Sequence, residues 1–417
     1  MTIKKLYERL LKAEINGQLN EELDRLKEDA YDPYQIDCLL NPEKCTPVWR
    51  LGQCNCSDEE KEHCRASCLF EAITIDENGN AIIDPELCTG CAECIELCKE
   101  SNLAERKDLI AALQAVKSSD APVYVLIAPA FIGQFHKDVT PGKLRSAFKN
   151  LGFTGMLEVA LFADILTLRE AFEFNKKVKS EEDFLLTSCC CPMWIAMIRR
   201  IYKEFLSHVP GSVSPMVACG RSIKLLEPGA ITVFVGPCVA KKAEARESDI
   251  KDAIDFVLTF EEVAELFEYT GIDPSRLEED DRDHSSLAGR IYARTGGVSE
   301  AVKLAVERIS AENSLAVRPI QADGIRECKA MMQSLKDGEI DANFIEGMGC
   351  VGGCVGGPKA ILDREEGKTN VNEYGSLAQH VTPIDNPYVI ELLNRLGLTK
   401  VEELITEDSL FSRDFLN

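Results

Sequence analysis

Apolar residues recur at helical spacing from the start of the chain. Leu6, Leu10, Leu11, Ile15, Leu19, Leu23 and Leu26 fall on one stripe, which predicts a helix over 1–30. From about residue 105 short β-branched runs alternate with helical stretches. VYVLIAP (123–129), FLLTS (184–188), ITVFVG (231–236), FVLTF (256–260), VRPIQ (317–321) and ANFIEG (342–347) read as strands. Helices are predicted over 105–118, 162–178, 192–206, 260–270, 298–310, 325–336 and 387–396. That alternation belongs to an α/β domain with mostly parallel sheets and flanking helices. Residues 31–100 hold ten of the eighteen cysteines, as a small α+β domain held together by metal would. The run LEEDDRDHSS (277–286) reads as an exposed loop.

The 417 residues suffice for two or three domains. The 70 acidic and 47 basic residues leave a net charge of −23, which excludes a nucleic-acid binder, since such proteins cluster basic residues. No apolar run has the length of a membrane span. The N-terminus, MTIKKLYERLLKAEINGQL, lacks the apolar stretch of a secretion signal, so the expected location is the cytoplasm. Thiols stay reduced there, so eighteen cysteines point to metal or redox chemistry and not to disulfides. The five histidines show no ligand pairing, which leaves thiolate-only coordination.

CTGCAECIELC carries Cys88, Cys91, Cys94 and Cys98 at C-x2-C-x2-C-x3-C spacing. Three such thiolates wrap one corner of an iron–sulfur cube while the fourth reaches a neighbouring cube. Upstream, QCNCSDEEKEHCRASC offers Cys54, Cys56, Cys64 and Cys68. Three further motifs, FLLTSCCC, ITVFVGPC and ANFIEGMGCVGGC, each follow a predicted strand. Ligands in open α/β sheets gather beyond the carboxyl ends of strands, so these motifs deliver Cys191, Cys238, Cys350 and Cys354 to one place. Four thiolates there can hold another cube. Adjacent cysteines such as Cys189, Cys190 and Cys191 rarely bond to each other, because the small ring opposes disulfide geometry.

The cysteine-rich segment resembles a bacterial two-cluster ferredoxin, although its front half is irregular. The resemblance implies crossed ligand sets: Cys54, Cys56, Cys64 and Cys98 for one [4Fe–4S] cluster, and Cys68, Cys88, Cys91 and Cys94 for the other. Cys38 and Cys45 are spare, and either could replace Cys54 or Cys56. TSCCCPMW, GPCVAKKAEA and EGMGCVGGCVGG resemble the three signature motifs of the [FeFe]-hydrogenases, in the family's order behind a ferredoxin-like domain. The resemblance implies an N-terminal extension (1–50), a ferredoxin-like domain (51–104), an H-cluster-binding domain (105–365) and a C-terminal extension (366–417). The H-cluster is a [4Fe–4S] cube linked through a cysteine to a diiron subsite carrying CO, cyanide and azadithiolate. By the resemblance Cys191, Cys238 and Cys350 bind the cube, Cys354 bridges to the diiron unit, Lys241 hydrogen-bonds a cyanide and Met348 packs beside it.

Aligned on the Cys-Pro and Trp194, Cys190 falls on the family's proton-relay thiol and Cys189 has no role. Aligned on Thr187-Ser188, Cys190 becomes the ligand instead. Glu170 and Glu173, three apart on one helix face, match the pathway glutamates, and Ser214 matches the pathway serine. Without the resemblance such a glutamate pair is an ordinary solvated helix face. Gly236, Gly349 and Pro358 depart from the motifs, as the sensory branches of the family do. The expected function is reversible H2 oxidation and proton reduction, with electrons leaving through the two clusters to a redox partner such as ferredoxin. The alternatives are a slow H2 or redox sensor with a signalling partner, and an iron–sulfur assembly or scaffold protein lacking the diiron subsite.

Overall fold

The computed structural model describes residues 2–28, 31–309 and 315–415. The outermost residues of the helices expected over 1–30 and 298–310 lie outside these. The N-terminal stripe forms two helices, Ile3–Ile15 and Leu19–Glu28. Gly17 interrupts it with φ 70°, a left-handed conformation that glycine adopts freely and that ends helices. Both helices still bury the same leucines, among them Leu6, Leu10 and Leu26.

The cysteine-rich segment is built on four short strands, β1 (Val48–Arg50), β2 (Ile73–Ile75), β3 (Ala81–Ile83) and β4 (Leu103–Glu105). β2 and β3 form an antiparallel hairpin. β1 pairs antiparallel with β4, Val48 opposite Glu105, which ties the chain before Cys54 to the chain after Cys98. Pairing of β4 delays the helix expected over 105–118, which runs Leu109–Ser118.

Seven strands follow: β5 (Val123–Ile127), β6 (Gly155–Glu158), β7 (Leu185–Thr187), β8 (Ile231–Gly236), β9 (Phe256–Thr259), β10 (Pro319–Asp323) and β11 (Phe344–Met348). They make two wholly parallel sheets, one ordered β6-β5-β8-β9 and the other β10-β11-β7. This is the α/β architecture expected from the alternation. β6 was not legible, because its four residues lie at a sheet edge beside a helix start. The helices Pro141–Asn150, Pro215–Leu226 and Arg364–Ser376 were also unforeseen. The first two open on Pro at the first helical position behind a Thr or Ser cap, a start signal visible in the sequence.

The core around β5, β8 and β9 takes in Leu6 and Leu10 from one end of the chain and Leu404 and Phe411 from the other, all fully buried. The segments expected as extensions therefore share the apolar core of the α/β domain. A buried ionic network joins the cysteine-rich segment to that core. Arg106 pairs with Asp108 at 2.7 Å and donates to the Lys242 carbonyl at 3.1 Å, while Lys242 pairs with Glu262 at 2.9 Å.

The expectation that no disulfide forms is corrected: Cys38 and Cys45 are bonded to each other. The helix Pro33–Leu40 and the turn Pro42–Lys44 fold one thiol back onto the other. Composition and compartment cannot reveal such a local juxtaposition. Among the described residues no helix is long and apolar enough to cross a membrane.

Candidate metal centre

Three strand ends converge. β7 leads into Ser188–Cys191, β8 into Pro237-Cys238, and β11 into the loop carrying Cys350 and Cys354. β7 and β11 lie side by side in one sheet and β8 in the other, so the site lies beyond the carboxyl ends of two sheets. Ser188 turns with φ 68°, and Cys191 then precedes the helix Pro192–Arg200, with Pro192 at its first position. Glycine serves two close approaches here. A Cβ on Gly347 would strike the Trp194 ring at 2.3 Å, and one on Gly353, at φ 83°, would meet the Thr295 nitrogen at 2.7 Å.

The four thiols share one environment. Burial raises all of them, Cys238 to about 11 and Cys354 to about 12. The charges of Cys238 and Cys191 act on both Cys350 and Cys354. Such thiols resist ionisation alone and lose the proton readily to a bound metal. Donors are already aimed at them. Gly349 N–H donates to Cys191 Sγ at 3.2 Å, and the peptides of Ala240 and Lys241 face Cys238. Lys241 is buried and paired with Glu244. Burial works against its ammonium, but Glu244, Cys190 and Cys238 hold its pKa above the usual value. Hydrogen bonds and a cation around thiolates suit an anionic cluster. A Cβ on Gly349 would meet Met193 at 2.4 Å, so the departure at Gly349 is matched by a methionine filling that space.

The cysteine-rich segment holds two further thiol-lined cavities. Cys54, Cys56, Cys64 and Cys98 line one of about 440 Å³. Cys68, Cys88, Cys91 and Cys94 line a narrower one together with Val48. Ala81 N–H and Asn102 Nδ2 reach Cys54 Sγ at 3.5 Å, while the peptides of Ala72 and Asn102 donate to Cys68 and Cys98 at 3.3 Å. The loop between Cys88 and Cys91 docks on the main site. Thr89 bonds to Met193 Sδ at 3.1 Å, and Gly90 packs against Val239 and Ala240. The charge of Cys91 reaches Cys350.

Cys190 is half-buried, and the charges acting on it are those of Cys354, Cys191, Lys241 and Glu170. It packs with Cys191 against the apolar cluster that contains Met348. Glu170 lies in the helix Ala160–Lys177 and accepts from the Thr187 hydroxyl. Burial pushes it up to about 8, opposed by the Thr187 bond and assisted by Glu173 and Glu346. Glu173 accepts from Arg169 Nη2 at 3.2 Å. Ser214 caps the helix Pro215–Leu226 through Val217 N–H, and no hydrogen bond joins it to either glutamate. Ser212 occupies the neighbouring place: Arg169 Nε donates to its hydroxyl at 2.7 Å.

Arg169, Tyr292 and Glu346 escaped the sequence analysis, and Cys189 was given no role there. Arg169 bridges Glu173, Ser212 and the tail carbonyl of Leu404. Its position four before Glu173 was the available signal. Cys189 is buried against the Pro210 carbonyl, within reach of the charges of Glu170, Glu173 and Arg169. Tyr292, its hydroxyl 2.8 Å from Thr167, faces Glu170 and Cys190. Glu346 on β11 accepts from Gly296 and Ser299. For the last two no sequence spacing gives a signal, since they arrive from distant elements.

Residues 121–358 match the family model for the iron only hydrogenase large subunit, C-terminal domain. The chain is 29% identical over 304 residues to iron hydrogenase 1 of Clostridium pasteurianum, covering 61% of this chain and 53% of that protein. It spans between about half and two thirds of the length of the hydrogenase relatives it matches. Cytosolic iron-sulfur assembly component 3 of Rattus norvegicus is 27% identical over 368 residues, covering 73% of this chain and 77% of that protein. The fold is similar to a solved [FeFe]-hydrogenase from Chlamydomonas reinhardtii, with TM-score 0.60, 20% identity and coverage of 74% of this chain and 98% of that one.

Proposed function

Because the chain belongs to the iron-only hydrogenase large-subunit family, we propose that it is an iron–sulfur oxidoreductase that interconverts H2 with protons and electrons. The carrying observation is the convergence of Cys191, Cys238, Cys350 and Cys354 from three strand ends, with Cys190 and Lys241 facing Cys354. In this reading Cys191, Cys238 and Cys350 would hold a cube, and Cys354 would supply the thiolate that links it to a diiron unit. When bound, that group supplies the binding and splitting of H2. Lys241 presents an ammonium to an anionic diatomic ligand, and Met348 keeps its surroundings apolar.

Cys190 takes or gives the proton at its sulfur. Glu170 receives it next, because its raised pKa keeps the carboxyl able to exchange a proton near neutral pH. Glu173 lies one turn further along the same helix face. Ser214 stays as a proposed member of the path, with Ser212 and Arg169 as its neighbours toward Glu173. Electrons travel through the two crossed ligand sets. The loop carrying Cys88 and Cys91 docks beside the helix that follows Cys191, the approach such transfer needs. A redox partner protein and a cytoplasmic location belong to the same proposal.

The test is H2-dependent reduction of a viologen dye by anaerobically matured protein. Turnover above that of a preparation carrying cubes alone supports the reading, and equality of the two defeats it. The similarity to an iron–sulfur assembly component over most of both chains favours a second reading, a cluster-handling protein without a diiron unit. A slow H2 sensor shares the site of the enzyme, and the motif departure at Gly236 favours it. It is distinguished by turnover far below that of an enzyme with H2-dependent spectral change intact.

A further inference from the structure

Cys38 and Cys45 belong to neither thiol-lined cavity of the cysteine-rich segment. They are joined in a disulfide, with 2% and 7% of their surfaces exposed. The pair packs with Trp49, Ile3 and Leu51, and Tyr34 stands edge-on to Trp49. From Cys45 the chain passes through Thr46 and Pro47 straight into β1. β1 is also a wall of the cavity lined by Cys68, Cys88, Cys91 and Cys94. Val48 lines that cavity, and its peptide faces the Cys88 sulfur. Pro47 meets Gly90, between Cys88 and Cys91, at 3.1 Å from the place of a Cβ. Arg106 fixes this junction by donating its peptide N–H to the Pro47 carbonyl at 2.9 Å and its Nη1 to the Cys45 carbonyl at 3.5 Å. A sulfur–sulfur bond thus stands three residues from the wall of a thiol cavity, on a rigid connection.

We propose that Cys38 and Cys45 form a redox-active dithiol/disulfide centre that draws electrons from the cluster of that cavity; this rests on reading the cavity as an iron–sulfur site. Opening the pair breaks the S–S bond, forms two S–H bonds and consumes two electrons and two protons. Two reduced cubes of the domain each give up one electron, water supplies the protons, and a low-potential one-electron donor refills the cubes. Exchange with an external thiol demands direct attack on one of the sulfurs, which their burial opposes. Electrons arriving from inside the protein meet no such obstacle. Opening removes the covalent tie between the helix Pro33–Leu40 and the turn before β1 and leaves the Lys44–Asp37 pair at 2.9 Å, so the state of the pair is felt beside Cys88.

The experiment uses the full chain reconstituted anaerobically with iron and sulfide and reduced by photoexcited deazaflavin, a one-electron donor. Iron analysis and electron paramagnetic resonance report cluster content and reduction. Acid quenching, alkylation under denaturing conditions and peptide mapping report the cysteines of the same sample. The expected result is alkylated Cys38 and Cys45 in the loaded, reduced protein, with the disulfide intact in metal-free chain treated identically. The double variant Cys38→Ser with Cys45→Ser keeps its cluster signals and takes up about two electrons fewer per chain, the size of one disulfide couple. Reduced clusters beside an intact disulfide overturn this proposal alone, as does equal opening in the metal-free chain. A chain that takes up no iron at this cavity overturns both the cavity reading and the proposal.

Discussion

Burial opposes the charged form of two residues at the site, Cys190 and Glu170. Cys190 lies within reach of the charges of both Cys354 and Glu170. Cys190→Ala is expected to lower H2 turnover at least about 100-fold while iron content stays unchanged. Unchanged turnover in a dye-reduction assay contradicts the assignment. Glu170 holds its proton up to about pH 8, against 4.5 for the ordinary group. The folded state therefore binds more protons than the unfolded one in that window, and stability falls as pH rises through it. Glu170→Gln removes the charged form, so melting temperatures measured from pH 5 to 8 should fall less steeply than in the parent chain. A parallel profile shows that Glu170 does not titrate there. Glu170 was singled out by the family resemblance, since its spacing to Glu173 alone reads as a solvated helix face, and its partner Thr187 was not legible, because that contact joins a helix to a strand end. The same distinction separates Cys191, visible beside Pro192, from Tyr292, which reaches the site from a remote turn.

At the scale of elements, strands were read well where they are buried on both faces, as in β5 and β8, whose apolar runs leave little ambiguity. Short elements at edges, such as β6, lack that signal. The helix Ala160–Lys177 links the site to the chain's tail through one side chain. Arg169 binds Glu173, Gly211 and Ser212, and also the Leu404 carbonyl and Ser412. Arg169→Met leaves the buried Glu173 with only the longer contact to Lys177, at 3.9 Å, and a cost of about 3–5 kcal/mol is expected in urea unfolding. A change within 0.5 kcal/mol, about that of an ordinary surface substitution, contradicts the account. The loop Cys350–Cys354 depends on Gly353, where the backbone is left-handed and Thr295 touches. Gly353→Ala should cost about 1–3 kcal/mol and reduce iron bound at the main site. Iron analysis that finds the parent content shows that the loop tolerates a side chain.

The whole molecule sets a segment with two thiol-lined cavities against an α/β unit in which four further thiols converge. Fold class was legible because alternating helix and strand periods leave few architectures. The thiol motifs were legible as spacings and their convergence as strand ends, while the sheet order that brings β7 beside β11 was not. The role of the terminal segments was not legible, since a helix that packs on its own domain and one that awaits a partner share the same stripe. The small cysteine-rich unit has strands of only three residues, too few to hold it together by themselves. Stripping iron with a chelator should therefore lower the first melting transition and expose Cys54 to Cys98 to alkylation before the α/β core unfolds. A single unchanged transition contradicts this division of labour. The central claim is that the four converging cysteines hold a cube joined to a diiron unit with CO and cyanide ligands. An infrared spectrum of anaerobically matured protein tests it most directly. The account predicts CO and cyanide stretches that shift when H2 is admitted; their absence, with all iron accounted for by cubes, would contradict it.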